Sequence, residues 1–314
     1  MSDLLLPSES AVSSASGHTS LPVDGFIDIP GGKTHYLDWG GKGPEAHMLH
    51  ANGFCAGVYD PFVRHLTGDL RVLGTDIRGH GDSSRYEADR ITHWRLFADD
   101  LTRFIREKMT PPVIGIGHSL GAVTTFIAAA QSPHLFSGIV LIDPVILPRR
   151  LLFVMRLLYL TGLLGKFPLA KGARRRKRVF EGKQAARKRF TSGRGIFKTW
   201  SGEFIDAYLE CGFLEEDENT ATLKCDPELE AQIFESAPRD AWTYARKIQC
   251  PVLAVRGETS DTFYPDAARN LGGYIPDYTL VTIPGTGHFV PMEKPEACAG
   301  EILAFLRAKG LLVG

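Results

Sequence analysis

A series of short apolar runs without polar alternation limits this chain to few folds. The runs occupy residues 71–77, 112–117, 138–142, 251–255 and 278–283. Runs of Val, Ile and Leu of this kind are typical of strands buried on both faces, as in parallel sheets. Segments with apolar residues at helical spacing lie between and after them, at 94–108, 120–131 and 295–309. The alternation predicts an α/β fold with a doubly wound, mostly parallel sheet.

Two further regions precede and interrupt this pattern. Near the N-terminus, a glycine pair between two apolar runs predicts a hairpin over 26–39, and a short strand follows at 47–51. The long stretch from Pro144 to Cys250 contains no clear buried strand. We therefore expect a disordered N-terminal arm, an α/β core in two parts, and a helical cap inserted after the sixth strand. The expected bounds are 1–23 for the arm, 24–146 and 245–314 for the core, and 147–244 for the cap.

Composition and charge exclude several classes of protein. The 314 residues carry 36 Lys and Arg against 36 Asp and Glu, so the net charge gives no argument for nucleic-acid binding. Five scattered cysteines without a CxxC pair indicate neither a disulfide framework nor a zinc site, and reduced thiols are the simplest interpretation. The N-terminus lacks the basic region of a secretory signal peptide, and no apolar stretch is long enough to span a membrane. We expect a cytoplasmic protein that uses no metal and no cofactor.

The sharpest chemical signal is Gly117-His118-Ser119-Leu120-Gly121, which follows an apolar run and precedes a helical pattern. A serine on a tight strand-to-helix turn needs small residues two positions before and after it, because the backbone is crowded there. The turn exposes the hydroxyl at a helix N-terminus, where developing negative charge is stabilised. Ser119 is therefore the candidate nucleophile.

A serine nucleophile needs a base, and an acid must orient that base. His288 follows the last predicted strand and is the candidate base. The loop after the preceding strand contains Asp261, our first choice for the acid. Glu258 in the same loop and Asp143, at the end of an earlier strand, are the alternatives.

A tetrahedral oxyanion also needs two backbone donors. The N–H of Leu120, the residue after the nucleophile, is the first expected donor. The second is expected in the loop 50–54, where the N–H of Asn52 is the first choice and that of Phe54 the fallback. The alternative is a plain glycine turn without a catalytic role.

These motifs resemble the α/β-hydrolase superfamily, and the resemblance covers the two parts of the predicted core. It implies that the turn 76–83 is scaffold, in which His80 and Asp82 make local hydrogen bonds. Members that hydrolyse epoxides or haloalkanes have aspartate at the position of Ser119, and dienelactone-type members have cysteine there. The resemblance therefore disfavours those activities for this chain.

Four residues near the predicted site are expected to contact the substrate: Phe54, His118, Tyr208 and Phe289. Tyr208 belongs to an apolar stripe at helical spacing in 203–212, which we interpret mainly as packing of the cap. Its hydroxyl is the group of that stripe that could reach the pocket.

The predicted cap has a strongly uneven charge. Residues 148–200 contain sixteen Lys and Arg but one acid, Glu181. A solvated helix face is one interpretation. Attraction of an acyl-CoA, a phospholipid headgroup or an anionic membrane is another, and the apolar run 151–164 fits either an interfacial lid or a helix lining an acyl pocket. Nucleic-acid binding is disfavoured because the basic run lacks interleaved aromatic residues.

The resulting hypothesis is a serine hydrolase that cleaves a small-molecule carboxylic ester, with an apolar acyl chain, through an acyl-enzyme on Ser119. The same residues are compatible with thioester, lactone or C–C bond hydrolysis and with acyl transfer or perhydrolysis, because function resides in the pocket. A catalytically silent binder of a small ligand and a membrane-interaction protein are alternatives from other classes. A monomer and a dimer are equally compatible with the sequence.

Overall fold

The computed structural model describes residues 21–85, 90–161, 168–217 and 219–312. Its strands are β1 (Val23–Ile29), β2 (Gly32–Gly41), β3 (Glu45–Leu49), β4 (Arg71–Thr75), β5 (Val113–His118), β6 (Phe136–Ile142), β7 (Val179–Phe180), β8 (Phe213–Asp217), β9 (Thr220–Leu223), β10 (Val252–Gly257) and β11 (Tyr278–Ile283). Most of the predicted N-terminal arm, residues 1–20, lies outside the described residues, and β1 already begins at Val23.

The helices agree with the longer helical patterns of the sequence. They are α1 (Asp60–Val63), α2 (Arg95–Lys108), α3 (Leu120–Gln131), α4 (Arg149–Leu160), α5 (Pro168–Arg174), α6 (Gly182–Phe190), α7 (Gly202–Cys211), α8 (Pro227–Glu235), α9 (Ala241–Ala245), α10 (Pro265–Leu271), α11 (Val290–Glu293) and α12 (Pro295–Ala308). Short 3-10 helices lie at Ala56–Tyr59, Pro133–Leu135 and Gly195–Thr199. Within the described ranges, each helix is too short or too polar to span a bilayer.

Eight of the described strands form one sheet in the order β1-β2-β4-β3-β5-β6-β10-β11. The predicted hairpin is β1 and β2, and β2 is also antiparallel to β4. Every neighbouring pair from β4 to β11 is parallel. The predicted α/β fold with a mostly parallel sheet is therefore confirmed.

Alternate residues of a single strand enter two different apolar layers. In β10, Val252 and Ala254 lie in the layer that contains α2 and α3. Leu253 and Val255 lie in the opposite layer, which contains α12. Because helices cover both faces, both sets of side chains must be apolar. This arrangement explains the apolar runs without polar alternation.

The chain between β6 and β10 forms an inserted segment, which we define as α4 to α9. It is not purely helical, because β7, β9 and β8 form a three-stranded antiparallel sheet in that order. The expected helical cap therefore also contains strands, which the sequence analysis did not predict. Four of the five residues of β8 are exposed, so the sequence contains no buried run that would reveal the strand. The division of the chain at 147 and 244 stays a prediction.

Many basic residues of the inserted segment pair with acids that follow later in the chain. The pairs are Arg174 with Glu228 and Glu235, Arg176 with Glu230, Arg178 with Asp226, Lys183 with Glu210 and Glu215, and Arg187 with Asp206. These acids lie in or next to α7, β8 and α8. The charge asymmetry of the sequence is therefore partly neutralised in space.

Candidate active site

Ser119 occupies a strained turn between β5 and α3. Its backbone has φ 56° and ψ −111°, a conformation that residues other than glycine rarely adopt. A Cβ on Gly117 would collide with the carbonyl oxygen of Gly121, and a Cβ on Gly121 would collide with that of Leu49. Glycine at both positions is therefore what lets the turn form, as the sequence predicted.

His288 lies against Ser119. Its Nε2 atom is 2.9 Å from Ser119 Oγ, and the loop that carries it follows β11. Ser119 is only 6% exposed, so its hydroxyl is shielded from bulk solvent. The structure brings together the two residues that the sequence analysis selected as nucleophile and base.

The carboxylate beside His288 belongs to Asp143, not to Asp261. Asp143 Oδ1 lies 3.0 Å from His288 Nδ1, and the Asp143 side chain is fully buried. Asp261 is exposed, and its carboxylate accepts a hydrogen bond from the Thr262 hydroxyl. The first choice for the acid is therefore wrong in this structure, and the alternative at the end of β6 takes its place.

Groups from the end of β10 hold the Asp143 carboxylate in position. Its Oδ2 atom accepts a hydrogen bond from the Gly257 N–H at 2.8 Å, and its Oδ1 atom accepts one from the Ser260 hydroxyl at 2.6 Å. The Asp143 backbone has φ 41°, which is uncommon for aspartate. These contacts fix the carboxylate opposite the His288 ring.

The loop after β10 supports the site instead of supplying its acid. Ser260, which no sequence pattern indicated, donates to Asp143, and Glu258 accepts a hydrogen bond from the Gly285 N–H at 2.8 Å. The signal that favours Asp143 is its place directly after β6. Because β6 and β10 are parallel neighbours, the groups at their carboxyl ends meet at one edge of the sheet.

Leu120, the first predicted oxyanion donor, lies in the Ser119 turn, and the loop of the second begins at His50, whose carbonyl lies beside Gly121. Leu120 is the first residue of α3, so its N–H has no carbonyl partner one turn earlier in the helix. The N–H of Phe54, the fallback donor, is engaged in this structure, since it donates to the Ala51 carbonyl at 3.3 Å. The Asn52 side chain is engaged too, since its Nδ2 donates to the Glu230 carbonyl at 3.0 Å and its Oδ1 accepts from His80 at 3.2 Å. The backbone N–H of Asn52 stays the candidate second donor.

A partly buried ion pair of the inserted segment supports this loop, although no sequence pattern indicated it. Arg176 pairs with Glu230 and donates to the Tyr208 hydroxyl at 2.6 Å. That hydroxyl donates in turn to the Gly53 carbonyl at 3.4 Å. Burial alone would lower the pKa of Arg176, but Tyr208 and Glu230 raise it above its usual range, so the guanidinium keeps its charge.

Two of the four predicted substrate contacts, Tyr208 and His118, are buried and hydrogen-bonded within the protein. They are 1% and 0% exposed, and their contact with a substrate stays a prediction. His118 Nδ1 accepts a hydrogen bond from the Tyr59 hydroxyl at 2.6 Å, and Nε2 donates to the His288 carbonyl at 2.9 Å. Burial, followed by the neighbouring His288, lowers the pKa of His118 well below its usual value. The neutral ring therefore ties the His288 loop to the interior.

Phe54 and Phe289, the other two predicted contacts, form an aromatic cluster beside the site. Their ring centroids are 5.9 Å apart, and Trp200 of the inserted segment lies 5.3 Å from the first and 5.5 Å from the second. The Phe289 ring is also 5.1 Å from the ring of His288. Trp200 was missed because it adjoins no site motif in the sequence, whereas Phe54 lies in the loop 50–54 and Phe289 follows His288.

Comparisons with known proteins identify the family of this chain. The family model described as alpha/beta hydrolase family matches residues 48–301. The chain is 27% identical over 274 residues to the 2-(acetamidomethylene)succinate hydrolase of Mesorhizobium japonicum, which covers 85% of this chain and 90% of that protein. A crystal structure of E-2-(acetamidomethylene)succinate hydrolase superposes with a TM-score of 0.73 at 25% identity, covering 91% of this chain and 100% of that one.

A thioesterase domain from the curacin biosynthetic pathway has the same fold. Its TM-score is 0.70 at 19% identity, with 90% of this chain and 100% of that one covered. The family match includes Ser119, Asp143 and His288 and spans most of the chain. The chain therefore belongs to the α/β-hydrolase family of enzymes.

Proposed function

We propose that this chain is a serine hydrolase that cleaves a carboxylic ester through an acyl-enzyme on Ser119. The observation that carries the proposal is the continuous set of hydrogen bonds from Ser119 Oγ through His288 to the buried Asp143 carboxylate. A serine hydroxyl becomes nucleophilic when a base, itself oriented by an acid, removes its proton.

In the acylation step, Ser119 Oγ attacks the carbonyl carbon while His288 Nε2 takes the hydroxyl proton. Asp143 accepts a hydrogen bond from Nδ1–H, which keeps the ring in the productive tautomer and stabilises the imidazolium. The N–H groups of Leu120 and Asn52 donate to the oxyanion of the tetrahedral intermediate. The imidazolium then protonates the leaving alcohol as the C–O bond breaks.

In the deacylation step, water takes the place of the alcohol. His288 Nε2 removes a proton from the water as its oxygen attacks the acyl carbonyl. The second tetrahedral intermediate collapses, Ser119 recovers its proton from His288, and the carboxylic acid leaves.

We infer an apolar acyl group from the surroundings of the nucleophile. Three aromatic rings pack against one another beside His288, those of Phe54, Trp200 and Phe289. Binding of an apolar group is favourable there, because it displaces water from the rings. The similar Mesorhizobium protein is named for a succinate derivative. In this chain Arg176 is paired with Glu230, so that pair offers no net positive charge to a carboxylate substrate.

Hydrolysis of p-nitrophenyl esters from acetate to palmitate tests the proposal. We expect turnover with at least one ester, and we expect Ser119→Ala to lower kcat by about 10⁶-fold. Ser192→Ala, at an exposed serine of the inserted segment, is the matched control and should retain full activity. Folded protein that hydrolyses none of the esters contradicts the proposal, and turnover of an acyl thioester alone would move it to the thioesterase class.

We also propose that α4 contacts anionic lipid. Phe153, Leu157 and Leu160 are each more than half exposed. The exposed Arg149 and Arg150 lie at the start of the helix, where Arg150 pairs with Asp266. An apolar helix face beside cationic side chains is typical of helices that lie in a membrane interface. Sedimentation with phosphatidylserine-containing vesicles should weaken at high salt and in a Phe153→Ser, Leu157→Ser variant. Failure to sediment at low salt would contradict this proposal.

A further inference from the structure

Two free thiols meet where the inserted segment packs on the α/β core. Cys55 directly precedes the 3-10 helix Ala56–Tyr59, and Cys211 is the last residue of α7. Cys55 is buried in the apolar layer that contains α12, and Cys211 packs against the same layer. A Cβ on Gly57 would lie 2.8 Å from Cys211 Sγ, so glycine at that position makes room for the sulfur.

The two thiols differ in their access to solvent. Cys55 is 1% exposed, whereas Cys211 is partly exposed and donates a hydrogen bond to the Ala207 carbonyl at 2.6 Å. The neighbouring Cys211 thiol and burial raise the pKa of Cys55 well above its usual value, so Cys55 stays a protonated thiol. A dissolved oxidant therefore reaches Cys211 first.

We propose that Cys55 and Cys211 are a redox-active pair that closes to a disulfide when a peroxide oxidises Cys211. The bond would fasten α7 to the loop that contains Asn52, because Cys55 follows Asn52 by three residues. Tyr208, one turn before Cys211 on α7, already contacts Gly53 of the same loop.

The reaction proceeds in two balanced steps. Hydrogen peroxide oxidises the Cys211 thiol by two electrons to a sulfenic acid and releases one water. The Cys55 sulfur then attacks the Cys211 sulfur, which breaks its S–O bond, and the departing hydroxyl leaves as a second water with the thiol proton of Cys55. Cys55 needs no access to solvent in the second step, since it reacts with the neighbouring sulfur of Cys211.

Mass mapping of the full chain after peroxide treatment tests the proposal. The reduced protein is oxidised with hydrogen peroxide, the remaining thiols are alkylated, and the digest is analysed before and after dithiothreitol. We expect a cross-linked peptide pair containing Cys55 and Cys211, two hydrogen atoms lighter than the sum of its parts and lost on reduction. Cys211→Ser should abolish this species, whereas Cys250→Ser, at another partly exposed cysteine, should retain it.

A second readout uses unfolding and does not depend on activity. A disulfide between these positions closes a long loop, so the oxidised protein should unfold at a higher urea midpoint than the reduced protein. Cys211→Ser should show no such shift.

Three outcomes would overturn the proposal. One is a cross-link from either residue to Cys225, which lies beside the same loop near Gly53. Another is conversion of Cys211 to sulfinic acid without a cross-link. The third is folded protein in which peroxide consumes no thiol. The fastening of the Asn52 loop affects catalysis only if the proposed function holds, but the cross-link itself does not depend on that function.

Discussion

The loops after β6 and β10 lie side by side, yet they contribute different groups to the candidate site. The two strands are parallel neighbours, with Ile142 paired to Val255, so both loops start at one edge of the sheet. Asp143, directly after β6, is buried against His288, whereas Asp261, four residues beyond the end of β10, is exposed. The acid at the end of β6 is held inside the fold, whereas both acids of the loop after β10, Glu258 and Asp261, reach solvent.

The comparison teaches that chain order alone does not identify the acid of such a site. Two neighbouring strands deliver their loops to the same place, and the contacts at that place decide which carboxylate faces the histidine. The loop after β10 keeps a supporting role, because Ser260 donates to the Asp143 carboxylate. Substitutions in the two loops can therefore distinguish the effect of the Asp143 carboxylate from the effect of the Ser260 hydrogen bond that holds it.

Among substitutions in these two loops, the largest effect is expected when each aspartate is replaced by asparagine in turn. Asp143→Asn should lower kcat for ester hydrolysis by about 10⁴-fold, because an amide in that place favours the wrong tautomer of His288. Asp261→Asn is the matched control and should leave kcat unchanged, since its carboxylate contacts only Thr262 among the described residues. Steady-state kinetics on folded protein measures both. A loss of activity in Asp261→Asn but not in Asp143→Asn would identify Asp261 as the acid.

The kinetic comparison of the two loops requires folded protein, and we expect acid to destabilise the fold through two buried histidines. Burial, with a smaller contribution from His50, lowers the pKa values of His47 and His80 to about 3. In the unfolded chain these histidines are protonated below about pH 6.5. The free energy of unfolding is therefore unaffected by them above that pH, and it falls below it by about 1.4 kcal/mol per pH unit for each histidine.

Urea unfolding at pH 7.5, 6 and 5 measures this slope. His47→Gln should make the loss of stability with falling pH shallower, whatever its effect at pH 7.5. An unchanged slope would mean that His47 does not titrate differently in the folded and unfolded chains.

A smaller effect is expected from removing the support alone. Ser260→Ala deletes one hydrogen bond to a charged, buried carboxylate and should lower kcat by about tenfold. Thr262→Ala, in the same loop, should leave kcat unchanged, because the Thr262 hydroxyl bonds to the exposed Asp261. Equal losses in the two variants would attribute the effect to the loop as a whole and not to the contact with Asp143.

The sequence predicted most of the sheet and part of the site because those features are local. The strand at 278–283 and the helix at 120–131 appear with the predicted bounds. The pattern around Ser119 contains both glycines whose missing side chains let the turn form. A short stretch of chain holds all the information in each of these cases.

Features that depend on distant pairs were not predictable in the same way. Asp143 and His288 are 145 residues apart, and Arg176 and Glu230 are 54 apart. No pattern around Asp143 or Arg176 identifies the residue that it pairs with, and only the closed sheet and the packed inserted segment bring the partners together. The strand β8 escaped notice because most of its side chains face solvent.

The ion pairs of the inserted segment also join residues that the ribosome synthesises seconds apart. Arg174 precedes its partner Glu228 by 54 residues, and a ribosome adds about 5–20 residues per second, so about 3–10 s pass between them. During that interval the nascent chain exposes a polycation whose counter-charges have not been made. Folding of this segment must wait for the synthesis of α8, and completion of the parallel sheet must wait longer still, for β10 and β11.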